Sequence, residues 1–153
     1  MNKSPIILAT AGYDKQIKFW DISKSTTIES KSSGDNAVTK LCLSHDGKYL
    51  GACTHGHVKV YDVRHLEQQE RTFDGLNGNA VAMEFQQQNN WFFVACEDGT
   101  INIFDFKTQS ANTQGYQRKF ENGGVMIHCA VLHPNEVEII FGDQNGEIKV
   151  WDL

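Results

Sequence analysis

The 153-residue sequence has no C-x-x-C pair, no basic stripe and no apolar run approaching the ~20 residues of a membrane span. Each absence excludes something. Cys42, Cys53, Cys96 and Cys129 all lie inside apolar stretches rather than loops. Free buried thiols in a reducing compartment are therefore expected, with no disulfide, metal site or cofactor. Lys and Arg number 14 against 19 Asp and Glu, a net charge of −5, and the densest basic pair is Arg118 and Lys119. With nothing to neutralise a row of phosphates, nucleic acid and anionic membrane are not expected partners. The apolar stretch 6–11 follows Lys3, and Ala9-Thr10-Ala11 has the small-residue spacing of a signal-peptidase site. It is too short for a signal core and is interrupted by Thr10, so no leader is expected and the expected location is the cytoplasm.

What the chain does have is a repeat. Four segments end alike: Ile17-Lys18-Phe19-Trp20-Asp21, Val58-Lys59-Val60-Tyr61-Asp62, Ile101-Asn102-Ile103-Phe104-Asp105 and Ile148-Lys149-Val150-Trp151-Asp152. Their aspartates are 41, 43 and 47 residues apart, close to the ~40–45 of a four-stranded propeller blade with a Trp-Asp ending. Six positions before each closing aromatic stand Asp14, His55, Asp98 and Asn145, followed in three cases by Gly56, Gly99 and Gly146. This is hairpin chemistry, because Asp-Gly and Asn-Gly supply the positive φ of two-residue turns. Nine positions before the aromatic, Ala11, Ala52, Ala95 and Gly142 form a small column that suits close approach of neighbouring backbones.

The stretches before each hairpin, 6–9, 49–50, 91–94 and 138–141, read as strands, and 38–43, 81–85 and 127–132 as strands preceding three of them. Their near-continuous apolar runs predict cover on both faces. Short polar stretches at 26–30, 70–73 and 116–120 read as outermost strands. The expected fold is an all-β, incomplete propeller arc over residues 1–153, about three and a half four-stranded blades. The first blade lacks its innermost strand and the fourth its outermost.

Few residues suggest chemistry. Ser44-His45-Asp46 spells a catalytic triad in adjacent letters, but triad members must converge from separate parts of a fold, so a turn is expected. His55-Gly56-His57 sits in the turn column and reads as a turn, not a metal pair. The glycines of 74–79 and 122–124 are followed by no Lys-Ser/Thr and open no helix, so they read as inter-blade loops and not phosphate cradles. Residues 86–90, Gln- and Asn-rich, replace a turn, and 64–71 join a third to a fourth strand. Lys18, Lys59 and Lys149 are expected to lay their stems on apolar surface with the charge in water. No catalytic residue is expected. The residue before the turn column, Tyr13, Thr54, Glu97 and Gln144, recurs on one rim and differs in every repeat. Identical scaffold positions with different side chains suit a protein-binding face, and unconstrained solvent positions would look the same.

These residues resemble the WD-repeat family. More narrowly, the chain resembles the G-beta-like subunits of the target-of-rapamycin (TOR) kinase complexes, the lethal-with-Sec-thirteen protein eight family. The resemblance is carried by residues 7–14 with Phe19-Trp20, by Phe73-Asp74-Gly75 and Glu97-Asp98-Gly99-Thr100, and most specifically by His133-Pro134-Asn135, 142–146 and Val150-Trp151-Asp152-Leu153. It implies a non-catalytic scaffold that packs on the TOR kinase catalytic domain, joins the other complex subunits and supports growth signalling. The Gly-His pair of many WD repeats is absent, and Tyr61 and Phe104 replace tryptophan, phenylalanine being unable to donate a hydrogen bond. The family's ring has seven blades, of which the resemblance covers about half, and an open arc would leave apolar faces and strand edges for another chain. Two other readings are a different WD-repeat adaptor, such as a ubiquitin-ligase substrate receptor, and a self-assembling half-propeller.

Overall fold

A computed structural model describes residues 7–68, 70–87, 91–105 and 118–153. All regular structure among them is β. The first sheet orders β1 (Ile7–Ala11), β2 (Gln16–Asp21) and β3 (Thr26–Ser32); the second β4 (Val38–Leu43), β5 (Tyr49–Thr54), β6 (His57–Asp62) and β7 (Arg71–Asp74). The third orders β8 (Ala80–Phe85), β9 (Trp91–Cys96), β10 (Thr100–Asp105) and β11 (Arg118–Glu121); the fourth β12 (Ile127–Leu132), β13 (Glu138–Asp143) and β14 (Ile148–Asp152). Sequence neighbours are sheet neighbours throughout. Sheets of three, four, four and three strands match the expected inventory, and among the described residues the first has no innermost strand and the fourth no outermost strand. Of the expected stretches, Ile6, Gln69, Gln88 to Asn90, Tyr116 and Gln117 lie outside the described residues.

The chain divides into two compact units, residues 1–38 and 39–153. In the first, β1 and β2 pair Leu8 with Trp20 and Thr10 with Lys18 on one face, and Ala9 with Phe19 and Ala11 with Ile17 on the other. Ile17 and Phe19 are buried and Leu8 is exposed.

The second unit has two cores, one on each side of the third sheet. Phe92, Val94 and Cys96 of β9 join Phe104 and Phe85 against Cys53, Val58, Val60 and Phe73 of the second sheet. The alternate residues Phe93 and Ala95, with Ile101 and Ile103, pack on Ile127, Ile139 and Phe141 of the fourth. A strand buried on both faces has no solvent side on which to place polar residues, hence the run Trp91-Phe92-Phe93-Val94-Ala95-Cys96. Each enclosed phenylalanine contributes about 1.5–3 kcal/mol of burial. The outermost strands β3, β7 and β11 are mostly exposed or half-buried, as edges should be.

The hairpin turns take the expected conformation. Gly56, Gly99 and Gly146 have φ of 94°, 87° and 78°, and in the first repeat Lys15 occupies the same column at 60°. Gly99 is doubly constrained, because a Cβ would also overlap the Val125 carbonyl oxygen. The hairpins differ in length, however. Ala11, Ala95 and Gly142 pair with Ile17, Ile101 and Ile148, whereas Cys53, not Ala52, pairs with the corresponding Val58. The second hairpin is one residue shorter, so counting back from its aromatic slips by one, and Cys53 takes the small-residue position. The cysteines also depart from expectation: all are free, but only Cys53 and Cys96 are buried, Cys42 is half-buried and Cys129 is exposed. Burial pushes both enclosed thiols up, Cys96 to about 12, so neither is a ready nucleophile.

Candidate protein-binding rim

The repeat positions first serve the scaffold. Trp20 Nε1 donates to Thr10 Oγ1 at 2.8 Å, tying the closing aromatic to the neighbouring strand. Tyr61 and Phe104 occupy the same column as buried rings, and Trp151 packs between Phe141 and Phe120, at 4.3 and 5.4 Å between centroids. Two of the closing aspartates, Asp21 and Asp62, shape the turn that follows. Asp21 Oδ1 accepts from the Ser23 and Lys24 amides and the Ser23 hydroxyl. Asp62 accepts the Arg64 amide and both arms of its guanidinium, which hold the carboxyl down at about 2. Asp105 ends β10, and Asp152 pairs across the sheet with Glu138. In the hairpins, Asp14 and Asp98 accept the amide two residues on; in the fourth, Asp143 accepts the amides of Asn145 and Glu147.

The rim column is uneven. Tyr13 is 95% exposed and stands beside a surface depression of ≈ 320 Å³ lined by Thr10, Lys18 and Trp20 among others. Gln144 is exposed at the fourth hairpin. Glu97 is half-buried, its Oε1 accepting from the Asn79 amide and side chain at 3.3 and 2.8 Å. Thr54 does not project at all: it is fully buried, with its hydroxyl donating to the His57 carbonyl at 3.1 Å. The short second hairpin explains this, since Thr54 ends β5 at the position of Cys96 and Asp143. The residue equivalent to Tyr13, Glu97 and Gln144 is the exposed His55. Counting from the paired small residues rather than from the aromatic would have found it.

The triad-like letters form a turn. Ser44 Oγ donates to Asp46 Oδ1 at 2.7 Å and accepts the Tyr49 amide, while Asp46 also accepts the Lys48 amide. The Ser44 hydroxyl, then Lys48, hold the Asp46 carboxyl at about 2, and His45 points to solvent. His55-Gly56-His57 forms the second hairpin. Among the described residues no group of three or more His, Cys, Asp or Glu converges as a metal site, and no helix is long and apolar enough to cross a membrane. The glycine stretches are loops, irregular after Asp74 and a turn at 123–124, with Gly75, Gly123 and Gly124 at positive φ. Gln86 is buried and bonded to Glu136. The lysine column differs from expectation, because its ammonium groups are paired: Lys18 with Asp14 and Lys59 with Glu70, each at 3.0 Å, and Lys149 with both Asp143 and Glu147 at 2.9 Å.

The sequence model "WD domain, G-beta repeat" matches residues 2–21, 24–62 and 67–105. The chain belongs to the WD-repeat family. Beyond those three matches, strands β12–β14 form a fourth sheet that ends on Trp151-Asp152. The chain is similar to "Target of rapamycin complex subunit LST8" of Bos taurus, 32% identical over 100% of this chain and 46% of that protein. It is also similar to "Target of rapamycin complex subunit wat1" of Schizosaccharomyces pombe, 31% identical over 97% of this chain and 46% of that one. "Protein LST8 homolog" of Dictyostelium discoideum is 38% identical over 88% of this chain and 43% of that protein. This WD-repeat chain thus spans about half the length of the curated relatives it matches. A chain in the "Crystal Structure of Mitotic Checkpoint Complex" superposes with a TM-score of 0.75 over 95% of this chain and 43% of that one, at 17% identity, a likeness of fold alone.

Proposed function

We propose that this WD-repeat chain is a non-catalytic scaffold subunit of a target-of-rapamycin kinase complex, acting in the cytoplasm by binding the kinase catalytic domain and supporting growth signalling. The observation that carries the reading is that relatives from mammal, fission yeast and plant, 30–36% identical over 92–100% of this chain, bear the name of that complex's subunit. Rim side chains support a binding role: in the unit 39–153, His55 and Gln144 are exposed on hairpins of the sheets, and in the unit 1–38 Tyr13 is likewise exposed, so a partner can meet them at little cost in ordering. Glu97 lies in the same column, with one carboxylate oxygen engaged by Asn79.

The test is affinity purification of the tagged full chain from cells, with the kinase followed by mass spectrometry. TOR kinase co-purifies with the wild type, and Tyr13→Ala combined with His55→Ala lowers its yield severalfold without changing the circular dichroism of the chain. Retrieval of a ubiquitin ligase in place of TOR kinase would overturn the assignment in favour of a different WD-repeat adaptor.

A further inference from the structure

The fourth sheet turns two uncharged rows away from the core of its unit. Register sets Val131, Ile140 and Val150 side by side in one row and Cys129, Gly142 and Ile148 in the next. Ile148 is 78% exposed, Val150 53% and Val131 47%. Large apolar side chains gathered on one face mark an interaction surface.

The repeat itself shows what fits there. In the third sheet the corresponding positions are Ala82, Ala95 and Ile101 in one row and Glu84, Phe93 and Ile103 in the next. The apolar ones are buried against the fourth sheet, and the half-buried Glu84 accepts the Leu132 amide of that sheet at 3.1 Å. The covering surface is always the other face of a sheet, the one carrying the closing aromatic: in the third sheet it presents Phe92, Val94 and Phe104, which cover Cys53, Val58 and Val60 of the second. The first sheet carries one more face of that kind. Its pair Leu8 and Trp20 matches Phe92 and Phe104, and Thr10 matches Val94. Leu8 and Thr10 are exposed and Trp20 is half-buried.

We infer that the outward face of the fourth sheet docks on the outward face of the first sheet of a second copy of this chain, head to tail. The contact continues the sheet-on-sheet packing that already joins the second, third and fourth sheets, and each copy brings one face of each kind. The inference does not depend on a kinase partner, and its test uses the purified chain alone.

Sedimentation velocity of the full chain is expected to give a dimer or larger species at micromolar concentration. Leu8→Asp and Ile148→Asp each place a charge in the contact while projecting into water in the monomer, and each moves the chain to the 17.2 kDa monomer. The expected weakening is about 30-fold or more, the scale of a central interface anchor. Mixing the two variants restores a dimer, because the intact fourth sheet of one meets the intact first sheet of the other. A wild type that stays monomeric overturns the inference, as does a mixture that fails to associate; retained association of Leu8→Asp alone would mean that two fourth sheets pair instead.

Discussion

At the scale of single residues, Asp143 shows how a side chain outside the Trp-Asp signature holds the scaffold together. Its carboxylate has 0% side-chain exposure yet takes the Lys149 ammonium at 2.9 Å and the Asn122 amide at 3.1 Å. Asn122 follows β11 and Lys149 lies on β14, so one carboxylate links the third sheet to the fourth. The Lys149 bond, then that from Asn122, hold the Asp143 pKa at about 2, below the ordinary 3.8. A carboxyl that binds its proton less readily folded than unfolded stabilises the fold above its unfolded pKa. That contribution falls away as the pH drops from about 4 towards about 2. Asp143→Asn is therefore expected to lower stability at pH 7 and to flatten the acid side of the stability profile over that window, measured by urea unfolding at a series of pH values. Wild-type and variant profiles that run parallel from pH 7 to about 2 would show that the pairing does not set the acid limb.

At the scale of strands and sheets, the closing aromatic is where repeat and packing meet. Phe104 is 1% exposed, stacks on Phe92 at 5.2 Å between centroids and meets Phe73 edge-on at 5.8 Å. Phe104→Ala is expected to cost about 3–5 kcal/mol, the range for emptying an aromatic site in a core. Calorimetry or urea unfolding measures it, and a loss below about 1 kcal/mol would mean that the neighbouring rings collapse into the space. Much of this layer was legible in the sequence, because the aromatic, the turn and the small residue recur at fixed intervals and each interval has a local cause. What was illegible had causes distant in sequence or hidden in a count. The second hairpin keeps the turn residues but drops one position, which moved the rim residue from Thr54 to His55 without disturbing the motif. Lys149 reaches Asp143 and Glu147 across its own hairpin and also Asn122, 27 residues away, contacts that the letters do not show, so its charge read as solvent-exposed. Cys129 sits in an apolar strand like Cys96, but Cys96 faces the second sheet, whereas Cys129 lies on the face of the fourth sheet turned away from the core of its unit and is exposed.

At the scale of the whole molecule, stability is graded by how many faces of a sheet are covered. Within the unit 39–153, the third sheet lies between two cores, and β9 and β10 are buried at almost every position. The fourth sheet uses one face, and β14 leaves Ile148, Val150 and Asp152 to solvent. Opening β14 exposes little new apolar area, whereas opening β9 must expose Phe92 and Phe93 together, at about 1.5–3 kcal/mol each. Local opening free energies follow such differences, so amide exchange reads them directly. Peptides spanning 91–105 are expected to exchange slowest, and those spanning 148–153 at least ~100-fold faster, a gap of about 2.7 kcal/mol. If a second copy covers the fourth sheet, the fast peptides become protected as protein concentration rises while 91–105 is unchanged. Equal protection of β9 and β14 at low concentration would contradict the gradient, because it would require the fourth sheet to open only when the entire unit unfolds.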